Sequence, residues 1–341
     1  MENEILVSVV CLTYNHEKYI EKAIKSMLNQ ETDFKYEIIV HDDCSQDATP
    51  EILKSYIAKY PDKIRIILQN ENQHSKGVPI LKKYIIPRIC GEYVAMCEGD
   101  DYWCDDYKLQ KQYDYMKAHP ECALCTHNTV IHDLSGKTPD RNFNSWTLSH
   151  ELSEDEIFFG WNVHTSSYFI KRNCLDEPEW KKKYWSGDYK KLVMAKANGT
   201  VVCLPDVMSV YNYGNLNGAT MQNINSSVDV LIKKEAARID FLVEYNEYTQ
   251  YRFDTVVKKR IRDVDFLCTR LKSDEIIKNS NDFNKIKEAA QKVSEHPYFG
   301  TYISGKNKLY KKIGLIIKYK GYVIEPVWRV GIKILRKGHI C

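Results

Sequence analysis

Cys97-Glu98-Gly99-Asp100-Asp101-Tyr102-Trp103 is the stretch from which the fold is read. It follows Tyr93-Val94-Ala95-Met96, a short apolar run with the length of a buried strand. Two adjacent carboxylates therefore stand where a strand ends and a loop begins, which is where open α/β sheets bind ligands. Adjacent acids repel each other unless positive charge lies beside them. A divalent ion carrying a diphosphate meets that demand, because hard cations take carboxylate and phosphate oxygens. A solvated turn is the simpler reading of Gly and Asp together. The rest of the chain decides between the two.

Towards the N-terminus, residues 6–12 form a near-continuous apolar run, as expected of a strand inside a parallel sheet. Thr13-Tyr14-Asn15-His16 breaks it. Tyr19, Ile20, Ala23, Ile24, Met27 and Leu28 then recur at helical spacing. Residues 36–40 read as a second strand, ending in His41-Asp42-Asp43-Cys44-Ser45-Gln46-Asp47. Thr49 before Pro50 is a helix start, and that helix runs to about residue 60. Residues 64–68 are a third strand and residues 93–97 the fourth. Strand, helix, strand, helix, strand, helix, strand, with the third helix between residues 68 and 93, predicts an α/β doubly wound sheet, parallel through right-handed crossovers. Thr13-Tyr14-Asn15, Asp42-Asp43 and Asp100-Asp101 then share one sheet edge. Three polar strand ends together favour a nucleotide-type site over three unrelated turns.

Beyond the acidic stretch the pattern is less regular. Residues 123–132 read as a strand, 141–151 as a mobile loop and 153–159 as a short helix. Trp161-Asn162-Val163-His164-Thr165-Ser166-Ser167 leads into a strand at 168–170. Residues 184–189 open a helix to about 197, with Asp188 near its start as either a cap or a functional carboxylate. Residues 201–204 and 208–211 are further short strands. After about residue 223 come helices at 228–248, 256–271 and 282–293, which carry no site-like constellation and read as support.

With 341 residues, 43% hydrophobic and 28% charged, the chain has the composition of a soluble globular protein. A net charge of +3 points to no partner by itself, and no nucleic-acid module is present. Met1-Glu2-Asn3-Glu4 lacks a charged-then-apolar leader. The eleven scattered cysteines are therefore read as reduced thiols in the cytosol. Cys122 and Cys125 have redox-motif spacing, but their apolar setting reads as buried strand thiols. No apolar run reaches the ~18 residues of a membrane span. Residues 306–341 hold ten Lys or Arg against one acid, Glu325. There Leu309, Ile313, Ile316 and Ile317, then Val327, Trp328, Val330, Ile332, Ile334 and Leu335, alternate with basic residues. Apolar and basic residues on one helix predict a basic amphipathic, interfacial helix lying on an anionic membrane surface, a helix packed on the catalytic domain with a solvated basic face being the other reading.

The motifs resemble inverting family 2 glycosyltransferases with the GT-A fold, a mostly parallel sheet flanked by helices, here with a helical C-terminal extension. Val7-Ser8-Val9-Val10-Cys11-Leu12-Thr13-Tyr14-Asn15 is similar to that family's first strand, and residues 37–49 to its second. Gly91-Glu92-Tyr93 through Asp100-Asp101 is similar to its metal strand. The resemblance covers roughly residues 6–215. The style of the acidic stretch and of His164-Thr165-Ser166-Ser167 resembles a subgroup that builds bacterial surface polysaccharides.

The resemblance implies a UDP-sugar as nucleotide-sugar donor, a divalent metal (Mn or Mg) and a saccharide acceptor that is lipid-linked. It gives Tyr14 a stacking role on the base, with Thr13 and Asn15 shaping the pocket. It makes Asp43 a uracil acceptor, sets Asp100 at the ribose beside the metal, and makes Asp101 a metal ligand. Lys76 would touch the diphosphate, a solvated loop lysine being the other reading. Asp188 matches the general base. Many relatives carry a His shortly after the strand that here reads Val210-Tyr211-Asn212-Tyr213-Gly214, where none stands in this chain. The expected organisation is a catalytic domain over 1–222, a helical extension over 223–304 and a membrane-associating segment over 305–341. The expected location is cytoplasmic, peripheral on the inner face of the cell membrane. A sugar nucleotidyltransferase and a catalytically inactive sugar- or nucleotide-binding scaffold are the rival readings.

Overall fold

Strand β1 (Ile5–Thr13) is apolar on both faces because both are covered: Val7, Val9, Val10 and Cys11 are buried. Strand β2 (Lys35–Asp42) pairs with it on one side and β4 (Tyr93–Met96) on the other, both parallel. Strand β3 (Ile64–Leu68) extends the row beyond β2. Thr13 pairs with Asp42, and Val10 with Met96, so all three strands end at one edge. Helix α1 (Ile20–Leu28) buries Ile20, Ala23, Ile24 and Met27, an i, i+3, i+4, i+7 stripe. Helix α2 (Thr49–Lys59) carries Pro50 in its first turn, where no N–H is missed.

This edge belongs to a computed structural model that describes residues 4–160, 162–181, 184, 186–215, 218, 220–221, 226–280, 282–296, 322–326 and 332–336. The chain divides into two units, residues 1–179 with 186–225, and residues 180–185 with 226–341.

The first unit holds strands β5 (Tyr102–Trp103), β6 (Cys122–Asp133), β7 (Arg141–Asn142), β8 (His150–Glu151), β9 (Phe169–Lys171) and β10 (Thr200–Tyr213). Helices α3 (Lys108–Ala118), α4 (Glu154–Phe159) and α5 (Gly187–Asn198) lie among them. The strand order is β3-β2-β1-β4-β9-β6-β10-β5, with β7 on β6 and β8 on β10. Strand β9 runs antiparallel to β4 and β6, and β5 antiparallel to β10. The sheet is therefore mixed rather than wholly parallel, because the strand–helix alternation stops after β4.

Three local expectations are corrected. The β3–β4 connection holds no α-helix, only single turns at Leu81–Ile85 and Ile86–Arg88, the second carrying Pro87. Residues 201–204 and 208–211 are one strand, β10, whose register shifts between Leu204 and Val207, around Pro205. The stretch 141–151 is not a free loop, since β7 and β8 pin its two ends to the sheet. Cys122 and Cys125 are buried free thiols on β6, as their apolar setting suggested.

A buried polar bridge ties the central strands together. Ser8 Oγ donates to Glu37 Oε1 at 2.6 Å, and Cys90 N–H to the same oxygen at 2.9 Å. Gly91 N–H donates to Ser8 Oγ at 2.9 Å. A Cβ on Gly91 would stand 2.6 Å from Ser8 N, so only glycine lets the chain enter β4 this close to β1.

The second unit contains helices Val228–Tyr248, Asp254–Asn279 and Phe283–Glu295. Phe241 stacks on Tyr184 at 5.0 Å and meets Trp180 edge-on at 5.1 Å. Tyr322–Pro326 and Ile332–Arg336 form an antiparallel pair, so the helical reading of 332–335 is corrected to strand. The β-branched Val323, Ile324, Ile332 and Ile334 suit a pleated strand. The remainder of 305–341, and Trp161, lie outside the described residues. No helix among the described residues is long and apolar enough to cross a membrane.

Lys108 opens α3 fully buried in the first unit, where burial holds its ammonium down to about 7 from 10.5. Above that native value the unfolded chain still binds the proton that the fold has lost. Stability therefore rises with pH between about 7 and 10.5, and the penalty is full below 7. Lys108→Met is expected to raise stability near neutral pH by about 1–4 kcal/mol. The gain shrinks as pH rises through that window, and paired thermal melts across it check both sign and trend.

Candidate active site

The edge where β1, β2 and β4 end is zipped by side chains. Asn15 N–H donates to Ser45 Oγ and Gln46 N–H to Asn15 Oδ1, each at 2.8 Å. His16 N–H donates to Thr49 Oγ1 at 2.9 Å. Asn15 and Cys44 take left-handed backbone, φ 56 and 67, the first a residue type that tolerates it. Thr13, half-buried Tyr14, Asn15 and Asp43 are thus brought into one neighbourhood, as expected.

Asp43 also organises the next loop. Its Oδ1 accepts Gln73 N–H at 2.8 Å and its Oδ2 accepts His74 N–H at 2.9 Å. One lone pair on each oxygen is therefore used inside the protein. Lys76 rides on this loop, half-exposed, with its ammonium 2.5 Å from Glu71.

Glu98, Asp100 and Asp101 each place an oxygen within 4.8 Å of the others. Asp101 Oδ1 accepts the Asn212 N–H at 3.0 Å. Its Oδ2 is buried with no hydrogen-bond partner among the described residues. Burial, then Asp100 and Glu98, push Asp101 far above the carboxylate range. Burial, then Asp188 and Asp100, push Glu98 up to about 8. Two like charges 4 Å apart repel by about 4 kcal/mol at an effective dielectric of 20, so the arrangement calls for a cation. Clustered carboxylate oxygens with an orphaned acceptor fit Mg or Mn better than a softer ion.

Gly99 lets this loop lie against the end of β1. A Cβ there would stand 2.7 Å from Thr13 Cβ and Oγ1 and 2.9 Å from His16 Nδ1. His16 Nε2 is 3.7 Å from Asp100 Oδ2, and His164 Nδ1 is 3.8 Å from Asp101 Oδ2. Burial holds His164 down to about 4, so it is neutral at ordinary pH, stacked on Tyr211 at 4.2 Å.

Asp188 stands in the first turn of α5 but is not its cap: Ser186 Oγ accepts Tyr189 N–H. The Asp188 side chain is 44% exposed, pairs with Lys191 at 3.3 Å, and bears electrostatically on Glu98 and His164. It therefore lies near the acidic cluster while remaining open to solvent.

Several contributors carried no assigned role in the sequence. Glu98 was visible two residues before Asp100, but only folding shows that it turns inward. The segment after 210 reaches the acids through asparagines. Asn212 Nδ2 donates to the Asp100 carbonyl at 2.6 Å and Asn215 Nδ2 to Asp100 Oδ2 at 2.8 Å.

Residues 8–213 match the family model described as glycosyl transferase family 2. The chain belongs to glycosyl transferase family 2. An uncharacterized protein of Mycobacterium tuberculosis is 36% identical over 208 residues, 60% of this chain and 58% of that one. Bacillus subtilis TuaG, named as a teichuronic acid biosynthesis glycosyltransferase, is 38% identical over 119 residues, 35% of this chain and 44% of that one. The chain thus spans about half the length of the curated relatives it matches. S. aureus TarS, crystallised with UDP-GlcNAc, superposes over 92% of this chain and 79% of its own at TM-score 0.50 and 16% identity. That likeness is one of fold, and the mixed sheet is the GT-A fold that the family 2 motifs implied.

Asp101→Asn removes a carboxyl group whose ionisation burial, Asp100 and Glu98 oppose, and is expected to stabilise the metal-free protein at neutral pH by about 1 kcal/mol or more. Metal-free thermal melts of both proteins measure it.

Proposed function

We propose that the chain is a metal-dependent inverting glycosyltransferase. It moves a sugar from a UDP-sugar to a hydroxyl of a lipid-linked saccharide in the synthesis of cell-surface polysaccharide. The observation that carries this reading is the Glu98–Asp100–Asp101 cluster at the edge where Thr13–Asn15 and Asp43 also end. The name of TuaG supports a surface-polymer product, and the UDP-GlcNAc of TarS supports the donor class. Residues 1–222 are the catalytic part in this reading, with 223–304 as its helical extension.

In this reading Tyr14 stacks on the base between Thr13 and Asn15, and Asp43 offers its remaining lone pairs to the uracil. Asp100 serves the ribose side and the metal, Asp101 and Glu98 complete the oxygen set, and Lys76 faces the diphosphate. A bound Mn or Mg ion supplies charge that neutralises the leaving diphosphate. Asp188 takes the proton of the acceptor hydroxyl as its oxygen attacks the anomeric carbon, while the bond to the diphosphate oxygen breaks. Attack from the opposite side inverts that carbon, and no enzyme nucleophile is needed.

The direct test is UDP release from a panel of UDP-sugars with and without manganese; no release under any condition rejects the reading. Asp101→Asn, though more stable, is expected to lose manganese-dependent UDP binding. Asp188→Asn keeps size and hydrogen bonding but cannot take a proton. It is expected to lower kcat by about 10²-fold or more with donor affinity nearly intact. A large loss of donor affinity with kcat preserved would move Asp188 out of the chemistry.

The basic segment 305–341 completes the proposal as a peripheral anchor on the inner face of the cell membrane, where a lipid-linked acceptor is presented. Each basic residue near anionic lipid contributes about 1 kcal/mol. The full chain is expected to sediment with anionic vesicles and to be released by high salt. A chain ending near residue 304 should stay in solution, and equal partitioning of the two rejects the anchor.

A further inference from the structure

Lys108 is fully buried, and among the described residues no carboxylate pairs with its ammonium; Asp105 acts on it only from longer range. Its partners are Gln112 Oε1 at 2.7 Å and the Trp103 ring, whose centroid is 4.1 Å away. Both partners reach the same turn. Trp103 Nε1–H donates to Ser166 O at 2.9 Å. Gln112 Nε2 donates to Ser167 O and to Cys125 O, each at 2.8 Å. That turn begins with His164, 3.8 Å from Asp101, and Trp103 closes the stretch that carries Glu98, Asp100 and Asp101.

The Gln112 amide has one acceptor and two donors. By occupying the acceptor, Lys108 leaves only the N–H pair to face the two carbonyls. Without the ammonium the buried Oε1 loses its partner and the amide loses the contact that fixes its sense. The ring contact acts likewise on Trp103, since the face of an indole attracts a cation, more strongly when the pair is desolvated. A side chain serving packing alone would be apolar here, and methionine would fill the space without a desolvated charge.

We propose that Lys108 is a positioning residue: its buried ammonium clamps Trp103 and Gln112, and through them holds the carboxylate loop 98–103 in register with the turn 164–167. The clamp follows from geometry, and its importance for donor binding rests on the function proposed above. Stability and function are then expected to move in opposite directions when the charge is removed.

The test compares the full-length parent with Lys108→Met and with Trp103→Phe, which keeps a ring over the ammonium but loses the indole N–H. Amide hydrogen exchange and thermal melts are read without ligand, and UDP binding is read by calorimetry with manganese. The amides of Gly99, Asp101, Trp103 and Ser167 are hydrogen-bonded, so their exchange reports local opening. Lys108→Met is expected to melt no lower than the parent. Its exchange in 98–103 and 164–167 should be faster by about tenfold, with the rest of the chain unchanged. Manganese-dependent UDP affinity should fall by about tenfold. Trp103→Phe should show the faster exchange at 164–167. Unchanged exchange, a uniform rise with a lower melting point, or unchanged UDP affinity in Lys108→Met overturns the proposal. If Lys108→Met does not fold, unchanged exchange at 164–167 in Trp103→Phe also overturns it. A parent that does not bind UDP with manganese rejects the donor reading instead, and the ligand-free exchange still decides the clamp.

Discussion

Three carboxylates with oxygens inside 4.8 Å are held against their mutual repulsion by the rest of the first unit. Burial raises both Asp101 and Glu98, and one Asp101 oxygen has no protein donor among the described residues. A folded chain tolerates such a defect only where the surrounding contacts over-determine it. Here they do so from several elements: the Leu12 carbonyl accepts Gly99 N–H, and Asn212 and Asn215 fasten Asp100 and Asp101 from the far end of β10. The strain is the counterpart of affinity, since a divalent cation would relieve what the protein leaves unmet.

The parallel ladder β2-β1-β4 explains why the strain falls at this place. Parallel strands aim their ends the same way, so three successive loops share one edge without any special loop design. The antiparallel β9 then turns the sheet back and brings the His164–Ser167 segment beside the same acids, while the end of β10 and the turn after it supply Asn212 and Asn215. The residues proposed to bind the donor thus come from the first half of the sheet. Asn212 and Asn215, which hydrogen-bond Asp100 and Asp101, come from the end of the second half.

Burying Lys108 with no carboxylate partner among the described residues is expected to lower stability near neutral pH, yet its two contacts lead to both sides of the acidic edge. The crowded carboxylates and the lone ammonium are departures from the lowest free energy, and both lie where loop 98–103 meets the turn 164–167. Elsewhere the unit follows ordinary rules: an amphipathic α1, a proline in the first turn of α2, and a Ser153–Glu156 capping box on α4.

The sequence by itself determined the strands β1 to β4, the helices α1 and α2, and the convergence of Thr13, Asp43 and Asp101, because apolar periodicity and parallel connection are local and topological properties. It also determined the family, through motifs whose order and spacing survive in one dimension. Tertiary structure alone decided that the sheet is mixed, that residues 200–213 form one strand across Pro205, and that Ser186 rather than Asp188 caps α5. It alone showed Glu98 turned inward, Asn212 on Asp101, and Lys108 under Trp103. These are contacts between residues up to 111 apart in the chain, set by how strands order and how faces pack, and no local pattern encodes them.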